Sequence, residues 1–400
     1  MSNSKADAAA SVYGALAGET FKAERDISAS NAGPKNLALM KINPNSDVPP
    51  PTDHGVVQPF WYSFDLTHRR VQEGGWTHQV TTRELPASTE MAGVNMRLTK
   101  GAFRELHWHL ADEWAIMLTG RARITVFTPD GAMFVDDVSA GDLWLFPAGA
   151  PHSIQALGDE GCEFLLVFNQ GDFSEESTLL ISDWLKHTPP EILEKNFRLG
   201  PDSIAKLPKG EPLYIFPSDE PEKTLEQEIA DVAKFAAKPK VSYTFKASTM
   251  EPTRQSDAGN VKIIDSRNFP ASQKIASAIV TLKPGCIREM HWHPNGSEWQ
   301  YWIKGKGRMT VFPGQEAART VDFNANDVGF VSNMAGHYIE NTGDDRAVFI
   351  ETFRSNRYEE VSLANWLAHL PPSLVSAHLN IPEDVLATFP RGTQGITPLQ

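Results

Sequence analysis

Two short stretches of the sequence place a pair of histidines one residue apart, with a glutamate close behind. The first is HWHLADE, from His107 to Glu113, and the second is HWHPNGSE, from His291 to Glu298. Alternate side chains of a β-strand point to the same face, so each pair can direct two imidazole nitrogens at one ion while the tryptophan between them points away. Imidazole and carboxylate groups are common ligands of divalent transition metals. Each stretch therefore indicates a metal site.

A third histidine in each half, His152 in PHSI and His337 in GHYI, completes two equivalent sets. The predicted metal ligands are His107, His109, Glu113 and His152 in the first half and His291, His293, Glu298 and His337 in the second. The gap before the glutamate is one residue longer in the second half, so both glutamates must lie beyond a turn or bulge. A lone His-x-His is more typical of hydrogen-bonded strand histidines, but duplication of all four positions favours metal binding.

Each predicted donor set offers nitrogen and oxygen but no sulfur. This argues against a closed structural zinc site. It favours a six-coordinate ion that keeps positions open for water or substrate. Manganese and iron fit best, and the residue types alone do not choose between them.

The similarity between the halves extends well beyond the histidines. The segment 119–131, TGRARITVFTPDG, corresponds to 304–316, KGKGRMTVFPGQE, and 181–193, ISDWLKHTPPEIL, corresponds to 363–375, LANWLAHLPPSLV. The offset is 184 residues at the first histidine, from 107 to 291, and 185 at the last, from 152 to 337. A period of this length is that of a domain and not of a solenoid unit. The chain is therefore predicted to contain two tandem domains of one fold.

Short apolar runs rich in Val, Ile, Phe and Trp alternate with polar residues in each half and are separated by Gly, Asp and Pro. This pattern predicts an all-β fold of short antiparallel strands closed into two sandwiches or small barrels. Helical signal is confined to segments near 177–197, 220–237 and 356–389. The predicted division is an N-terminal arm at 1–58, a first barrel domain at 59–196, a Pro- and Lys-rich linker at 197–240 and a second barrel domain at 241–400.

Composition limits the classes of partner. The net charge of −13 argues against nucleic acid or an anionic membrane as partner. It would also repel an anionic substrate, whose affinity must then be made locally. The two cysteines, Cys162 and Cys286, are too few for a disulfide framework and are predicted to be small buried side chains. No secretory signal or long apolar run is present, which predicts a cytoplasmic protein, or a secreted or periplasmic one if a signal has been removed.

The repeated HWH, the nearby glutamate, the glycine turn and the later PH or GH resemble the cupin superfamily. The longer stretches RELHWHLADEWAIMLTGRARITVF and FSEESTLLISDWL resemble the bicupin oxalate decarboxylases, and the likeness runs from about residue 40 to the C-terminus. The resemblance implies two cupin jelly-roll barrels with short flanking helices and one manganese ion in each. It implies cleavage of oxalate to formate and carbon dioxide, with dioxygen as cocatalyst, in a homotrimer or homohexamer.

The segment GDFSEESTLLISDW has the Ser and Glu residues of a helix N-terminus. The resemblance implies in addition a lid over the first metal, formed by Ser174, Glu175, Glu176, Ser177 and Thr178, with Glu175 as the proton-transfer group. Glu176 stands where the family has asparagine, so it could shift the pKa of Glu175 or compete for its role. The corresponding RSNRYEEVSL of the second half lacks the lid pattern.

Four further residues have two interpretations each. Arg104 and Arg288 each lie three positions before the first histidine, and strand parity alone leaves them as edge arginines. The resemblance implies that they are catalytic and bind the substrate carboxylate. Glu351 matches a buried catalytic glutamate of the second site, or it is a core carboxylate paired with Arg288. Trp144 matches a residue near the first pocket that contacts substrate, or it is a core tryptophan.

Three other functions remain open at this level. An oxalate oxidase would release hydrogen peroxide, and the lid sequence argues against it. A bicupin metalloenzyme for another small carboxylic acid would have a pocket without a converging arginine. A binding or storage bicupin would usually have lost its metal ligands. The sequence leaves the second metal site as catalytic, as an electron relay or as structural.

Overall fold

The computed structural model describes residues 34, 36–208, 214–392 and 395–398. The described residues form two compact units, which we name by the barrel each contains. The first-barrel unit comprises 66–250 and 264–276, and the second-barrel unit comprises 1–65, 251–263 and 277–400. Most of the predicted N-terminal arm, residues 1–33 and 35, lies outside the described residues.

The elements are given in chain order. The N-terminal segment contains α1 (Leu37–Ile42) and β1 (Trp61–Ser63). The first-barrel unit contains the strands β2 (Arg70–Gln72), β3 (Gly75–Val80), β4 (Ala92–Leu98), β5 (Phe103–Trp108), β6 (Glu113–Phe127), β7 (Met133–Ser139), β8 (Leu143–Phe146), β9 (His152–Phe168), β10 (Leu179–Leu180), β11 (Ile215–Phe216) and β12 (Thr244–Phe245). Its helices are α2 (Ile181–Lys186), α3 (Pro190–Phe197), α4 (Pro201–Ile204) and α5 (Leu225–Val232).

The second-barrel unit repeats this order. Its strands after β1 are β13 (Arg254–Ser256), β14 (Gly259–Ile264), β15 (Ala276–Leu282), β16 (Ile287–Trp292), β17 (Glu298–Lys304), β18 (Lys306–Gly314), β19 (Ala317–Asn324), β20 (Asp327–Val331), β21 (Gly336–Glu340), β22 (Ala347–Phe353), β23 (Val361–Ser362) and β24 (Ile396–Thr397). Its helices after α1 are α6 (Leu363–His369), α7 (Pro372–Leu379) and α8 (Glu383–Leu386).

The first barrel is a single antiparallel sheet whose two longest strands bend. Its main path is β12-β8-β6-β9-β4-β3-β2, with β5 joined to β9 and β7 joined to β6. The long strands β6 and β9 pair on both sides of a register shift at Gly120. Gly120 has φ +74°, and a Cβ there would lie 2.1 Å from the carbonyl oxygen of Gly161, so only glycine fits the bend. The bend lets the two halves of the β6–β9 pair form opposite walls of the barrel.

The alternating apolar residues of these strands fill the barrel. Val94, Met96, Ile124 and Phe164 are completely buried in one continuous core. Each fully buried side chain of this size contributes about 1.5–3 kcal/mol to stability. This packing makes the strands a rigid support for the predicted metal ligands that they carry.

The second barrel has its strands in two sheets. One sheet has the order β1-β20-β17-β22-β15-β14-β13, and the other has the order β19-β18-β21-β16-β23 with β24 beside β16. The N-terminal segment is part of this unit, because β1 pairs antiparallel with β20. Asn45 adds hydrogen bonds from its amide group and its backbone N–H to the Asp322 carboxylate.

The predicted fold class, two tandem β-rich barrels with short flanking helices, is confirmed. Helices α2, α3 and α5 to α8 fall in the three segments with helical signal. Helices α1 and α4, of six and four residues, were not expected. Both lie outside these segments, in stretches interrupted by proline. Part of the predicted linker forms β11, which pairs with β5. None of the helices in the described ranges is both long and apolar enough to span a bilayer.

Both cysteines are free and buried, as expected from their number and spacing. Burial raises the pKa of the Cys162 thiol to about 12. A thiol in this state is neither a nucleophile nor a metal ligand at neutral pH. The chemistry of the chain therefore resides in its histidines and carboxylates.

Candidate active site and metal centres

The two sets of predicted ligands each converge on a point. In both sets one donor atom from each residue lies within 4.8 Å of all the others, and all eight side chains are buried. In the first barrel His107 lies on β5, Glu113 begins β6 and His152 begins β9. In the second barrel the corresponding strands are β16, β17 and β21.

The unequal gap before the glutamate is absorbed in a turn, as the sequence required. Glu113 starts β6 opposite Phe168, and Glu298 starts β17 opposite Phe353. Each glutamate thus begins a new strand, and its direction does not depend on the number of residues in the turn. The turns can differ in length while the carboxylates occupy equivalent positions.

Backbone carbonyls orient every imidazole. In the first site Nδ1 of His107, His109 and His152 donates to the carbonyl oxygens of Glu105, Ala111 and Ala150 at 2.5, 2.7 and 2.8 Å. In the second site Nδ1 of His291, His293 and His337 donates to those of Glu289, Glu359 and Ala335 at 2.6, 2.7 and 3.1 Å. A carbonyl only accepts, so Nδ1 carries the proton and Nε2 presents its lone pair to the centre.

The protonation states are those that a bound metal requires. Burial, and then the charge of Arg104, hold the pKa of His107 well below its usual range, and burial likewise lowers that of His152. Burial alone would raise the pKa of Glu113, but the imidazoles of His109 and His152 beside its carboxylate lower it to about 2. The imidazoles of His107 and His152 are therefore neutral beside an ionised Glu113. Metal ligands must be deprotonated in this way.

Several buried donor atoms lack a hydrogen bond, which supports a metal at each centre. Nε2 of His291 is buried without a hydrogen-bond partner, and Nε2 of His152 and of His293 approach the glutamate oxygen of their own site at 3.5 and 2.9 Å without forming a hydrogen bond. A buried polar atom without a partner is costly. Four protein ligands with nitrogen and oxygen donors suit a hard divalent ion and leave two positions of an octahedron open. The residues present fit manganese or iron.

The Arg104 side chain points toward the first set of metal ligands. Strand parity predicted that it would lie at an edge of the sheet, and this prediction is wrong. On β5, Arg104 pairs with Ile154 and His107 pairs with His152, so three positions on one strand span two on the other. The extra residue is a β-bulge, which reverses the direction of the side chains before it. The second barrel repeats the bulge between Arg288 and His291.

Tyr214 contacts the buried Arg104 in two ways. Nη1 of Arg104 donates to the carbonyl oxygen of Tyr214 at 3.1 Å, and its Cζ lies 3.2 Å from the centre of the Tyr214 ring. No carboxylate in the described part of the chain forms an ion pair with Arg104, which is only 2% exposed. Its positive charge is therefore available to an anion in the pocket.

Glu175 is buried and held by two hydroxyl groups. Its Oε1 accepts hydrogen bonds from Thr77 Oγ1 at 2.6 Å and from Tyr214 Oη at 2.5 Å. Burial raises the pKa of Glu175, and these two hydrogen bonds oppose the increase. The side chain of Ser174 caps the short 3₁₀ helix that follows by accepting from the Glu176 N–H. The Glu176 side chain is exposed and does not share this environment.

The lid segment is attached at both ends to residues beside the metal ligands. The Phe173 ring lies 5.8 Å from that of His109 and stacks on Phe168 with centres 3.6 Å apart. At the other end Leu180 pairs with His107 across the β10–β5 contact. The five residues 174–178 thus connect two points of the pocket wall.

Trp144 is both a core residue and a neighbour of a metal ligand. It is completely buried, and its Nε1 donates to Glu113 Oε1 at 3.4 Å. In the second barrel Gly329 takes its position, and Gln300 on the adjacent strand donates to Glu298 instead. Each glutamate ligand receives an N–H from a different residue.

In the second barrel, the arginine equivalent to Arg104 is paired with carboxylates. Arg288 is completely buried and pairs through Nε with Glu351 at 3.4 Å, as the core-carboxylate interpretation of Glu351 required. Its Nη2 donates to Tyr358 Oη at 2.5 Å and also pairs with Glu360. Burial, and then the charge of Glu298, hold the pKa of Glu351 above its usual range.

Sequence reasoning missed Thr77, Tyr214, Tyr358 and Glu360. The sequence did contain a signal for Thr77. Gly75 and Gly259 begin equivalent strands, with φ +148° and +150°, so the residues two positions later, Thr77 and Val261, are equivalent. A hydroxyl is therefore present at this strand position in the half that contains Glu175, and a valine takes its place in the other half. Tyr214 lies in the predicted linker and gave no signal.

Comparison with known proteins agrees with the geometry. The family model described as Cupin matches residues 63–205 and 245–385, so the chain is a bicupin with two candidate metal centres. Oxalate decarboxylase OxdC of Bacillus subtilis (strain 168) is 49% identical over 351 residues, which cover 88% of this chain and 90% of that protein. A probable oxalate decarboxylase of Arthroderma benhamiae is 37% identical over 369 residues, 91% of this chain and 90% of that protein.

A solved structure of the Bacillus subtilis oxalate decarboxylase, from work on its Mn(II) centres, has a TM-score of 0.90 and 46% identity. The matched region covers 95% of this chain and 99% of the chain in that structure. The chain belongs to the bicupin oxalate decarboxylase family, as its motifs predicted, and it is a carboxy-lyase.

Proposed function

We propose that this protein is a manganese-dependent oxalate decarboxylase that converts oxalate and a proton to formate and carbon dioxide at the first site. The observation that carries the proposal is a buried acid and a buried, unneutralised arginine beside one His₃Glu set. The relatives with this domain pair are named as oxalate decarboxylases, and one is described with Mn(II) centres. The proposed complement is two manganese ions per chain.

Arg104 binds one carboxylate group of the substrate. The protein carries a net charge of −13, so the oxalate monoanion, which brings the proton that Glu175 removes, needs a local cation to enter the pocket. A guanidinium matches a carboxylate with two parallel hydrogen bonds. Tyr214 stacks on Arg104 and keeps the group aligned.

Manganese held by His107, His109, Glu113 and His152, with dioxygen as cocatalyst, would supply the reversible one-electron oxidation of oxalate that weakens its carbon–carbon bond. Ionised Glu175 removes the substrate proton and returns it to carbon after carbon dioxide leaves, which yields formate. We assign the transfer to Oε2, since both hydroxyl groups hold Oε1. A pKa raised by burial suits a group that must take and give a proton. The closed lid excludes water from the pocket.

The test is incubation of the manganese-loaded protein with oxalate at about pH 5, near the range in which carboxyl groups exchange protons. We expect equal amounts of formate and carbon dioxide and no hydrogen peroxide. Protein treated with chelator serves as the control and should be inactive. Peroxide in place of formate would identify an oxalate oxidase, and no consumption of oxalate would point to another small carboxylic acid.

The Thr77→Val variant is expected to shift the pH profile. It keeps the shape of the side chain and removes a hydroxyl that stabilises ionised Glu175, so the pKa of Glu175 rises further. Because the reaction begins with the ionised form, the acidic limb of kcat/KM moves to higher pH. A hydrogen bond to a charged group contributes about 1.5–3 kcal/mol, and about 1.4 kcal/mol corresponds to one pH unit. We therefore expect a movement of about one to two units, with Thr77→Ser close to the parent.

An unchanged pH profile in Thr77→Val would show that the hydroxyl does not influence the proton-transfer group. The equivalent Val261 of the second half makes valine a well-tolerated side chain on this type of strand. Loss of fold is therefore not an expected explanation for a change in the profile.

We propose a cytoplasmic homotrimer or homohexamer. Two tryptophans support assembly, since Trp184 on α2 is 62% exposed and Trp366 on α6 is 48% exposed, and both belong to equivalent helical segments. Exposed apolar surface of this kind is typical of subunit contacts. Light scattering is expected to give three or six times the chain mass of 44.2 kDa, and a monomer would contradict the proposal.

A further inference from the structure

The second barrel has a segment equivalent to the lid. In the first barrel Leu180 pairs with His107, and in the second barrel Ser362 pairs with His291. Counting back from these pairs aligns residues 356–360 with the lid at 174–178. Glu360 therefore takes the position of Thr178.

Glu360 points into the pocket of the second barrel. Its side chain is 2% exposed and forms ion pairs with both Arg288 and Arg254. Its Oε2 also accepts a hydrogen bond from Tyr358 Oη at 2.7 Å. The carboxylate is thus held by two guanidinium groups and a phenol, which is the environment that a bound carboxylate ligand would have.

The first barrel has no such occupant. Arg104 and Arg288 lie at equivalent strand positions before equivalent bulges. Yet Arg104 forms no ion pair among the described residues, whereas Arg288 has two carboxylate partners. The strand register also places Leu166 opposite Ala115 where Glu351 lies opposite Gln300, so the first pocket lacks the second carboxylate too.

We propose that Glu360 is an internal substitute for a substrate carboxylate, which occupies Arg288 and restricts oxalate to one pocket per chain. An oxalate anion entering the second pocket would meet the carboxyl groups of Glu351 and Glu360 and would have to displace a buried ion pair. This inference rests on the proposed function, because it takes Arg104 as the group that binds oxalate. Glu360 would then decide which of two similar metal centres acts on substrate.

The test counts bound oxalate. Equilibrium dialysis with radiolabelled oxalate uses the full-length, manganese-loaded Glu175→Gln protein in the absence of dioxygen, so that its residual turnover is suppressed. We expect one oxalate per chain in this parent and two after Glu360→Thr, which introduces the residue of the equivalent lid position. Glu383→Gln is the matched control, since it removes one charge from an exposed side chain of the same unit, and it should leave one.

The location of the added oxalate follows from Arg104→Gln. In the parent this change should abolish binding, and together with Glu360→Thr it should leave one oxalate per chain. Elemental analysis and thermal melting confirm two metals and an intact fold in each variant. If Glu360→Thr does not fold, Glu360→Gln keeps the volume and removes the charge, and it too should bind a second oxalate.

Failure of the proposed function and failure of the inference about Glu360 give different numbers of bound oxalate. A parent that binds no oxalate contradicts the proposed function. A parent that binds one, with no gain in a folded, metal-loaded Glu360 variant, overturns the inference about Glu360 alone. A parent that already binds two also overturns it.

Discussion

Formate production by the Glu175→Gln variant is expected to fall by about 10²–10⁴-fold, the usual contribution of a general acid–base group. Glutamine keeps the side-chain oxygen that accepts from Thr77 and Tyr214, so the lid can close, but it cannot carry the proton. Because carbon is no longer protonated, the remaining turnover should shift from formate towards hydrogen peroxide. The measurement is the rate of formate, carbon dioxide and peroxide release at saturating oxalate.

Glu176→Gln is the matched control for this prediction. Glu176 is the adjacent residue, has the same charge and has an exposed side chain. A change there is expected to leave the formate rate within about twofold of the parent, as is usual for surface substitutions. If Glu175→Gln kept full formate output and Glu176→Gln lost it, the roles of the two glutamates would be reversed.

Replacing the glutamate ligand of either centre is expected to remove one metal ion. Glu113→Gln and Glu298→Gln each exchange the only anionic ligand of a site for a neutral amide of the same shape. Metal content should fall from two ions per chain to one in each variant. Formate production should disappear in Glu113→Gln, because the reaction is assigned to the first site.

Loss of the ion should also lower thermal stability, since a ligand that binds only the folded state contributes about 2.7 kcal/mol at a hundredfold excess over its Kd. The two variants act as controls for each other, because they remove equivalent groups from the two barrels. Two bound ions in Glu113→Gln would contradict the assignment of this residue as a ligand. An active Glu113→Gln protein that holds only the second ion would move the reaction to the second site.

Much of the site could be predicted because it is duplicated and because strand geometry is simple. Side chains at alternate positions of a strand share a face, so His107 and His109 indicated one ion without further information. The repeat then turned a weak motif into eight specific positions, all of which converge. The Ser and Glu residues of the lid also indicated the short capped helix that follows Ser174.

The rest depended on local irregularity and on contacts distant in sequence. Strand alternation gave the wrong direction for the Arg104 side chain, because the β-bulge in β5 cannot be recognised from the residue types. Tyr214 reaches Glu175 from 39 positions away, through a strand of two residues that no period could reveal. Glu360 was passed over because its segment lacked the lid pattern, although its importance lies in that difference.

The most direct test of the two metal centres is anomalous diffraction from crystals of the manganese-loaded protein, recorded on both sides of the manganese absorption edge. Two peaks per chain are expected, each surrounded by three histidine Nε2 atoms and one glutamate oxygen at about 2.0–2.3 Å. A map with no manganese peak inside either His₃Glu set would contradict the account.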